Sequence, residues 1–187
     1  MQSAENLSPK ICYTAVGVLI HEGKVLLVKH KKLGIWLNPG GHIEANELPY
    51  QAAEREFFEE TGVKVRAVNA PNNQVPLLLS NCTTEDDTQY LPAPILVNLH
   101  WVCRENYELR MSLGAAYQPA APWKRGCEQH LGFVYILEPM GGLTFVQDET
   151  ETDGIGWFTL QELKNLETKE SIRKEVEYAF ECIRVGS

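Results

Sequence analysis

The sequence predicts an α+β domain, and three observations carry that prediction. Short β-rich runs recur from Cys12 onward, one strongly patterned helix follows a Pro-Gly-Gly stretch, and the chain closes on two helical segments. At 187 residues the chain suits one domain with sizeable loops. Its 44% apolar and 22% charged content excludes general disorder.

Residues Cys12 to Ile20 and Lys24 to Lys29 read as the two strands of a hairpin, turning at His21, Glu22 and Gly23. An extended piece at Ile35 to Leu37 leads into Pro39, Gly40 and Gly41, read as a turn in which glycine permits unusual backbone angles. A helix is expected from Glu47 to Thr61, with Tyr50, Ala53 and Phe57 on one side and Gly62 as its stop. Val63 to Val68 reads as the next strand. Asn69 to Pro94 reads mostly as loop, with a short strand near Val75 to Leu79. Pro94 to Cys103 and His130 to Leu137 are strand candidates, and the stretch between them, around residues 104–129, has no clean period and reads as an insertion. A strand at Gly154 to Phe158 precedes helices at about Leu160 to Leu166 and Lys169 to Ile183.

Charge narrows the function. Lys and Arg total 17 against 25 Asp and Glu, a formal charge of −8, and no basic block follows a nucleic-acid backbone, so a polynucleotide partner is not expected. A small phosphorylated ligand is compatible with that charge, because placed cations and metal ions decide the local field. The five cysteines, Cys12, Cys82, Cys103, Cys127 and Cys182, are odd in number and form no Cys-x-x-Cys pair, which argues against a zinc site. With no apolar run long enough to cross a membrane and no leader-like opening, a cytoplasmic protein with reduced thiols and no membrane partner is expected.

The chemistry concentrates between Gly41 and Val63. The pattern runs Gly41, five residues, Glu47, seven residues, Arg55, Glu56, Phe57, one residue, Glu59, Glu60, one residue, Gly62, Val63. On a helix Glu56, Glu59 and Glu60 stand at i, i+3 and i+4 and share one face. Like charges at those spacings each cost about 0.2–0.5 kcal/mol, and Glu54 adds charge beside them, so a cation would relieve the cluster. Clustered carboxylates suit hard Mg²⁺ or Mn²⁺, which share their remaining positions with substrate phosphates. An isolated glutamate run is more often a solvated helix face. Here the glycines, Glu47 and Arg55 stand at set positions as well.

This 23-residue segment resembles the Nudix box, with every specified position filled. Its mild departure is Phe57, where the family usually has an aliphatic residue. Weaker support comes from the strand before the box and from Gly156, Trp157 and Phe158. The resemblance implies the Nudix fold, a mixed β-sheet sandwiched between α-helices, and a metal-dependent hydrolase that cleaves a phosphoanhydride bond in a nucleoside diphosphate linked to another moiety. It implies metal ligation by Glu56, Glu59 and Glu60 with the Gly40 carbonyl, polarisation of the attacking water by Glu56, carboxylate orientation by Arg55, and support from Glu47.

Outside the box, Glu149 or Glu151 in the run before the last strand is a candidate extra base, weighed against a solvated turn. Trp36 is a candidate for stacking on a base, weighed against packing at a strand end. His42 is a candidate for the pocket. Lys29, His30, Lys31 and Lys32 read equally well as a solvated hairpin end, and Phe133 and Tyr135 as core. Trp123 and Arg125 fall in the insertion, where specificity could reside. Two other functions fit the resemblance: a non-catalytic nucleotide-binding module, which commonly loses box carboxylates that this chain keeps, and an isopentenyl-diphosphate isomerase, which needs a placed cysteine. The organic part of the substrate and the oligomeric state are open, homodimers being the commonest assembly.

Overall fold

The computed structural model describes residues 8–71, 89–119, 125–147, 150 and 152–184. The expected Val75 to Leu79 strand, Trp123, Glu149 and Glu151 lie outside those residues. Eight strands are present among the described residues: β1 (Ile11–His21), β2 (Lys24–His30), β3 (Trp36–Leu37), β4 (Gly40–His42), β5 (Val65–Val68), β6 (Leu96–Trp101), β7 (Gln129–Pro139) and β8 (Thr152–Thr159). Among the described residues the helices are α1 (Pro49–Thr61), α2 (Arg104–Leu113), α3 (Leu160–Leu163) and α4 (Glu170–Arg184), and a 3-10 turn spans Gly114–Ala116. Among the described residues no helix is long and apolar enough to cross a membrane.

β1 organises the sheet. Its apolar residues alternate faces, and it pairs in parallel with β7 from Ile11 opposite Gln129 to Leu19 opposite Leu137. Its other edge is shared: Thr14, Ala15 and Val16 pair with β4, and Ile20 and His21 pair with β2 across the hairpin. The hairpin turn uses positive φ at Glu22 (47°) and Gly23 (73°), as a two-residue turn between twisted strands requires. β8 and β3 extend the sheet from β2, and β5 and β6 extend it from β7, so among the described residues the only parallel pair in this mixed sheet is β1 with β7.

Helices cover both faces. Ala52, Ala53 and Phe57 of α1 are fully buried against a cluster containing Ala15, Leu19, Tyr135 and Leu137. A Cβ at Gly17 would overlap Leu137 Cδ1 and come 3.1 Å from the Phe57 ring, so the glycine leaves room for both side chains where α1 meets the sheet. On the opposite face Val176, Ala179 and Phe180 of α4 pack with Val18, Val25, Val134 and Ile136. Burial of each such side chain contributes about 1.5–3 kcal/mol.

Two elements differ from the sequence reading. Gly40 and Gly41 lie in strand β4, not in a turn, and neither has positive φ. The stretch after β6 also holds helix α2. Its apolar residues show little period because an ion pair ties it down: Arg110 Nε and Nη2 donate to Glu128 at 2.6 and 2.9 Å, and Glu128 is fully buried. Cys103 caps the helix start by accepting from the Asn106 N–H at 3.4 Å.

Candidate active site

α1 begins at Pro49, where a fixed φ suits the first helical turn and no N–H is missed. It ends at Gly62, whose left-handed φ of 70° lets its N–H reach the Phe58 carbonyl at 2.7 Å. Between these ends the helix leans its Phe57 face on the sheet and turns Arg55, Glu56 and Glu59 toward β4 and the loop before the helix.

Arg55 holds the constellation together. Its Nε and Nη2 donate to the two carboxylate oxygens of Glu47 at 2.8 and 2.9 Å, a two-point contact. Nη1 donates to Glu56 at 2.8 Å and to Glu59 at 3.0 Å, and Nη2 also reaches the His42 carbonyl at 3.0 Å. The Arg55 hydrogen bond holds Glu47 below the usual carboxylate range, against the opposing effect of partial burial. One guanidinium thus offsets the repulsion among three carboxylates.

Exposure grades across the cluster. Glu60 is 4% exposed, the Glu56 and Glu47 side chains are 16% and 15% exposed, and Glu59 opens to solvent at 53%. Glu60 Oε2 accepts the Gly40 N–H at 3.3 Å, tying the helix to β4. Glu54, expected beside the other glutamates, instead turns away and accepts the Ala67 N–H of β5 at 2.7 Å, because its position on α1 faces that strand.

The two glycines of β4 are required for space. A Cβ at Gly40 would sit 2.5 Å from the Ala15 carbonyl oxygen and 2.8 Å from Val16 Cα, both on paired strand β1. A Cβ at Gly41 would overlap the Glu56 carboxylate, lying only 2.7 Å from Oε2. Side chains alternate along a strand, so the Gly41 position faces α1 and His42 faces the other side of the sheet.

His42 Nε2 lies 3.3 Å from Cys127 Sγ, and its ring meets His130 edge-on at 4.9 Å. Burial lowers the His42 pKa, and the charge of Arg125 lowers it further. Trp36 packs edge-on against Phe158 at 4.7 Å, and its carbonyl accepts from Thr168 Oγ1 at 2.6 Å, so its ring is engaged in packing. His30 Nδ1 accepts the Lys32 and Leu33 N–H groups at the hairpin end, and Lys31 faces Asp153 at 4.0 Å. Tyr135 is buried and Phe133 packs on the same core. Sequence spacing gives no sign that Cys12 and Cys127 approach His42; they meet because β1 runs parallel to β7.

Comparison with known proteins decides the family. The NUDIX domain matches residues 13–180. The chain belongs to the Nudix hydrolase family. The Escherichia coli K12 Phosphatase NudJ is 31% identical over 94 residues, which span 49% of this chain and 58% of that protein, and the Shigella flexneri protein of the same name matches to the same extent. The chain therefore aligns with little more than half the length of these relatives. A NUDIX-family hydrolase from Clostridium perfringens superposes with a TM-score of 0.67 at 24% identity, covering 94% of this chain and 97% of that one. The MutT NUDIX hydrolase from Burkholderia pseudomallei gives 0.55 at 19% identity, covering 90% and 97%. These structures share the Nudix fold, and the segment Gly41 to Val63 is its Nudix box.

Proposed function

We propose that this chain is a Mg²⁺- or Mn²⁺-dependent pyrophosphohydrolase acting on a nucleoside diphosphate linked to another moiety. The observation that carries the reading is the Arg55-centred cluster, in which one guanidinium joins Glu47, Glu56 and Glu59 while Gly41 leaves room for the Glu56 carboxylate.

The donor set fits a hard divalent cation: Glu56, Glu59 and Glu60 offer oxygen ligands from one helix, and the Gly40 carbonyl offers another. Mg²⁺ held there would neutralise phosphate charge and make a water more acidic. The protein's own residues do the rest. Arg55 fixes the Glu56 and Glu59 carboxylates, so Glu56 is positioned to accept the proton of the attacking water. As water oxygen bonds to phosphorus, the bridging P–O bond breaks and its electron pair leaves with the departing phosphorylated group. Glu47 takes two of the Arg55 donors and so fixes the guanidinium plane; it stands behind the site and need not touch substrate.

Similarity to the NudJ phosphatases, and a fold shared with a dihydroneopterin triphosphate pyrophosphohydrolase and an ADP-ribose pyrophosphatase, support phosphoanhydride chemistry and leave the organic group open. A panel of ADP-ribose, nucleoside triphosphates, dinucleoside polyphosphates and sugar nucleotides, assayed with Mg²⁺ and then with chelator, tests the proposal. It predicts Mg²⁺-dependent release of a nucleoside monophosphate or another phosphorylated fragment. Saturable binding with no product from any member would instead favour a non-catalytic nucleotide-binding module. Isopentenyl diphosphate belongs in the panel because two thiols lie near His42; its isomerisation would overturn the hydrolase reading.

A further inference from the structure

On the sheet face opposite α1, β1, β4 and β7 carry a row of soft ligands. Cys12 stands in register with His130, and His130 with His100; Thr14 stands in register with His42. Cys127 lies just before β7 and is 2% exposed. The Sγ atoms of Cys12 and Cys127 and a ring nitrogen of His42 all lie within 4.8 Å of one another, and His42 Nε2 is 3.3 Å from Cys127 Sγ. Neither cysteine is in a disulfide.

We propose that Cys12, Cys127 and His42 form a binding site for Zn²⁺, separate from the carboxylate cluster on α1. Tetrahedral zinc with Zn–S of about 2.3 Å and Zn–N of about 2.0–2.1 Å sets ligand atoms about 3.6–3.8 Å apart. The observed spacings need side-chain shifts of about 1 Å or less to match. Two thiolates and an imidazole select a soft or borderline ion, where Mg²⁺ and Mn²⁺ prefer oxygen. Binding exchanges the two thiol protons to solvent and leaves two Zn–S bonds and one Zn–N bond.

A second observation points to the same row. His130 Nε2 is buried without a hydrogen-bond partner among the described residues, and its ring touches both His42 and His100. It lies beside the triad but outside the set of ligand atoms that fall within 4.8 Å of one another, so it lines the site and the fourth position falls to water or another ligand. The ion would tie β4 to β1 and to the segment entering β7. His42 links the two sites through one residue, its ring toward the thiols and its carbonyl toward Arg55. Zinc would therefore brace the strand that carries the two glycines. The proposal does not depend on what the α1 site hydrolyses.

Cobalt reports this coordination directly. Protein stripped with chelator, kept in a phosphine reductant and saturated with Mg²⁺ to fill oxygen sites, is titrated with Co²⁺. The site predicts one equivalent bound with the intense visible bands of tetrahedral cobalt and a thiolate-to-metal charge-transfer band, both erased by Zn²⁺. Zinc should also raise the melting temperature by several degrees under the same Mg²⁺. Cys12→Ser, at a partly exposed position, should remove the charge-transfer band and weaken Zn²⁺ binding at least about 100-fold, more than loss of an outer hydrogen-bond partner costs. Cys103→Ser should change neither. If Cys127→Ser fails to fold, protection from alkylation in the parent serves instead: Zn²⁺ should shield Cys12 and Cys127 and leave Cys103 as reactive as before. Weak octahedral cobalt bands alone, or an unchanged spectrum in Cys12→Ser, would overturn the proposal.

Discussion

Replacing the two glycines of β4 one at a time should separate catalysis from folding. In Gly41→Ala the new Cβ overlaps the Glu56 carboxylate, the far end of a flexible side chain, so Glu56 yields by about 1 Å and the backbone stays. Its bond to Arg55, 2.8 Å with both groups largely buried, is then lost or stretched. Losing one charge-assisted hydrogen bond in that setting costs about 1–2 kcal/mol. Alanine at a position without positive φ returns about 0.4–1 kcal/mol by restricting the unfolded chain. The net loss is about 1 kcal/mol, roughly 2–4 °C in melting temperature for a domain of this size. Turnover should fall far more, by about 100-fold, the usual effect of a 1 Å displacement of a reacting group. In Gly40→Ala the clash is with the Ala15 carbonyl and Val16 Cα, backbone atoms held by strand pairing, so β4 must leave β1. The expected cost is about 3 kcal/mol or more, roughly 6–12 °C. Thermal unfolding by circular dichroism, paired with Mg²⁺-dependent product release, reads both quantities. Parental turnover in Gly41→Ala, or equal destabilisation by the two variants, would refute the steric argument.

Other outcomes follow from the same contacts. Glu59→Gln removes a charge from a half-exposed carboxylate while keeping its shape, so turnover should drop at least about tenfold with the melting temperature nearly unchanged; steady-state kinetics at saturating Mg²⁺ checks this. Arg110→Met strands the buried Glu128 carboxylate and should cost about 3–5 kcal/mol, read as an earlier urea midpoint. Burial raises the Glu175 pKa despite its hydrogen bond from Asn98 at 2.9 Å, so the folded state holds that proton above the unfolded pKa and stability falls as pH rises through the interval between the two. Glu175→Gln should therefore raise the melting temperature near neutral pH and change it little near pH ~4; an equal gain at both would show that ionisation is not the cause.

The elements that read most clearly in the sequence are those whose signals are local. The hairpin announces itself through two alternating runs and Gly23, α1 through its apolar spacing and Gly62, and the helix face bearing Glu56, Glu59 and Glu60 through i, i+3, i+4 geometry. What local patterns miss is set by tertiary contact. Gly40 and Gly41 read as a turn because flexibility is glycine's commonest use, whereas here the missing Cβ atoms admit β1 and Glu56. Helix α2 lacks a period because it is anchored by Arg110 on Glu128 rather than by an apolar stripe. Glu54 sits in the same run as the other glutamates, yet Ala67 on β5 claims it. The thiol and imidazole row comes from strand order, since only the parallel pairing of β1 with β7 brings Cys12 near Cys127.

The relief of repulsion by a cation also takes a different form from the one the spacing suggests. Arg55 already supplies a positive charge to Glu47, Glu56 and Glu59, so the metal-free protein is less strained than three bare carboxylates would be. A divalent ion adds to that arrangement by taking the remaining carboxylate oxygens.

Thermal unfolding against Mg²⁺ concentration, in the parent and in the Glu56→Gln, Glu60→Gln double variant, tests the central claim most directly, since it needs no knowledge of the substrate. At about a hundred times Kd the bound ion should stabilise the parent by roughly 2.7 kcal/mol, a rise of about 5–11 °C. The double variant, which keeps oxygen acceptors for Arg55 and the Gly40 N–H but loses two charges, should fold and gain little from Mg²⁺. A parent with no Mg²⁺-dependent rise, or a double variant that rises equally, would mean that these glutamates are a solvated helix face and hold no metal.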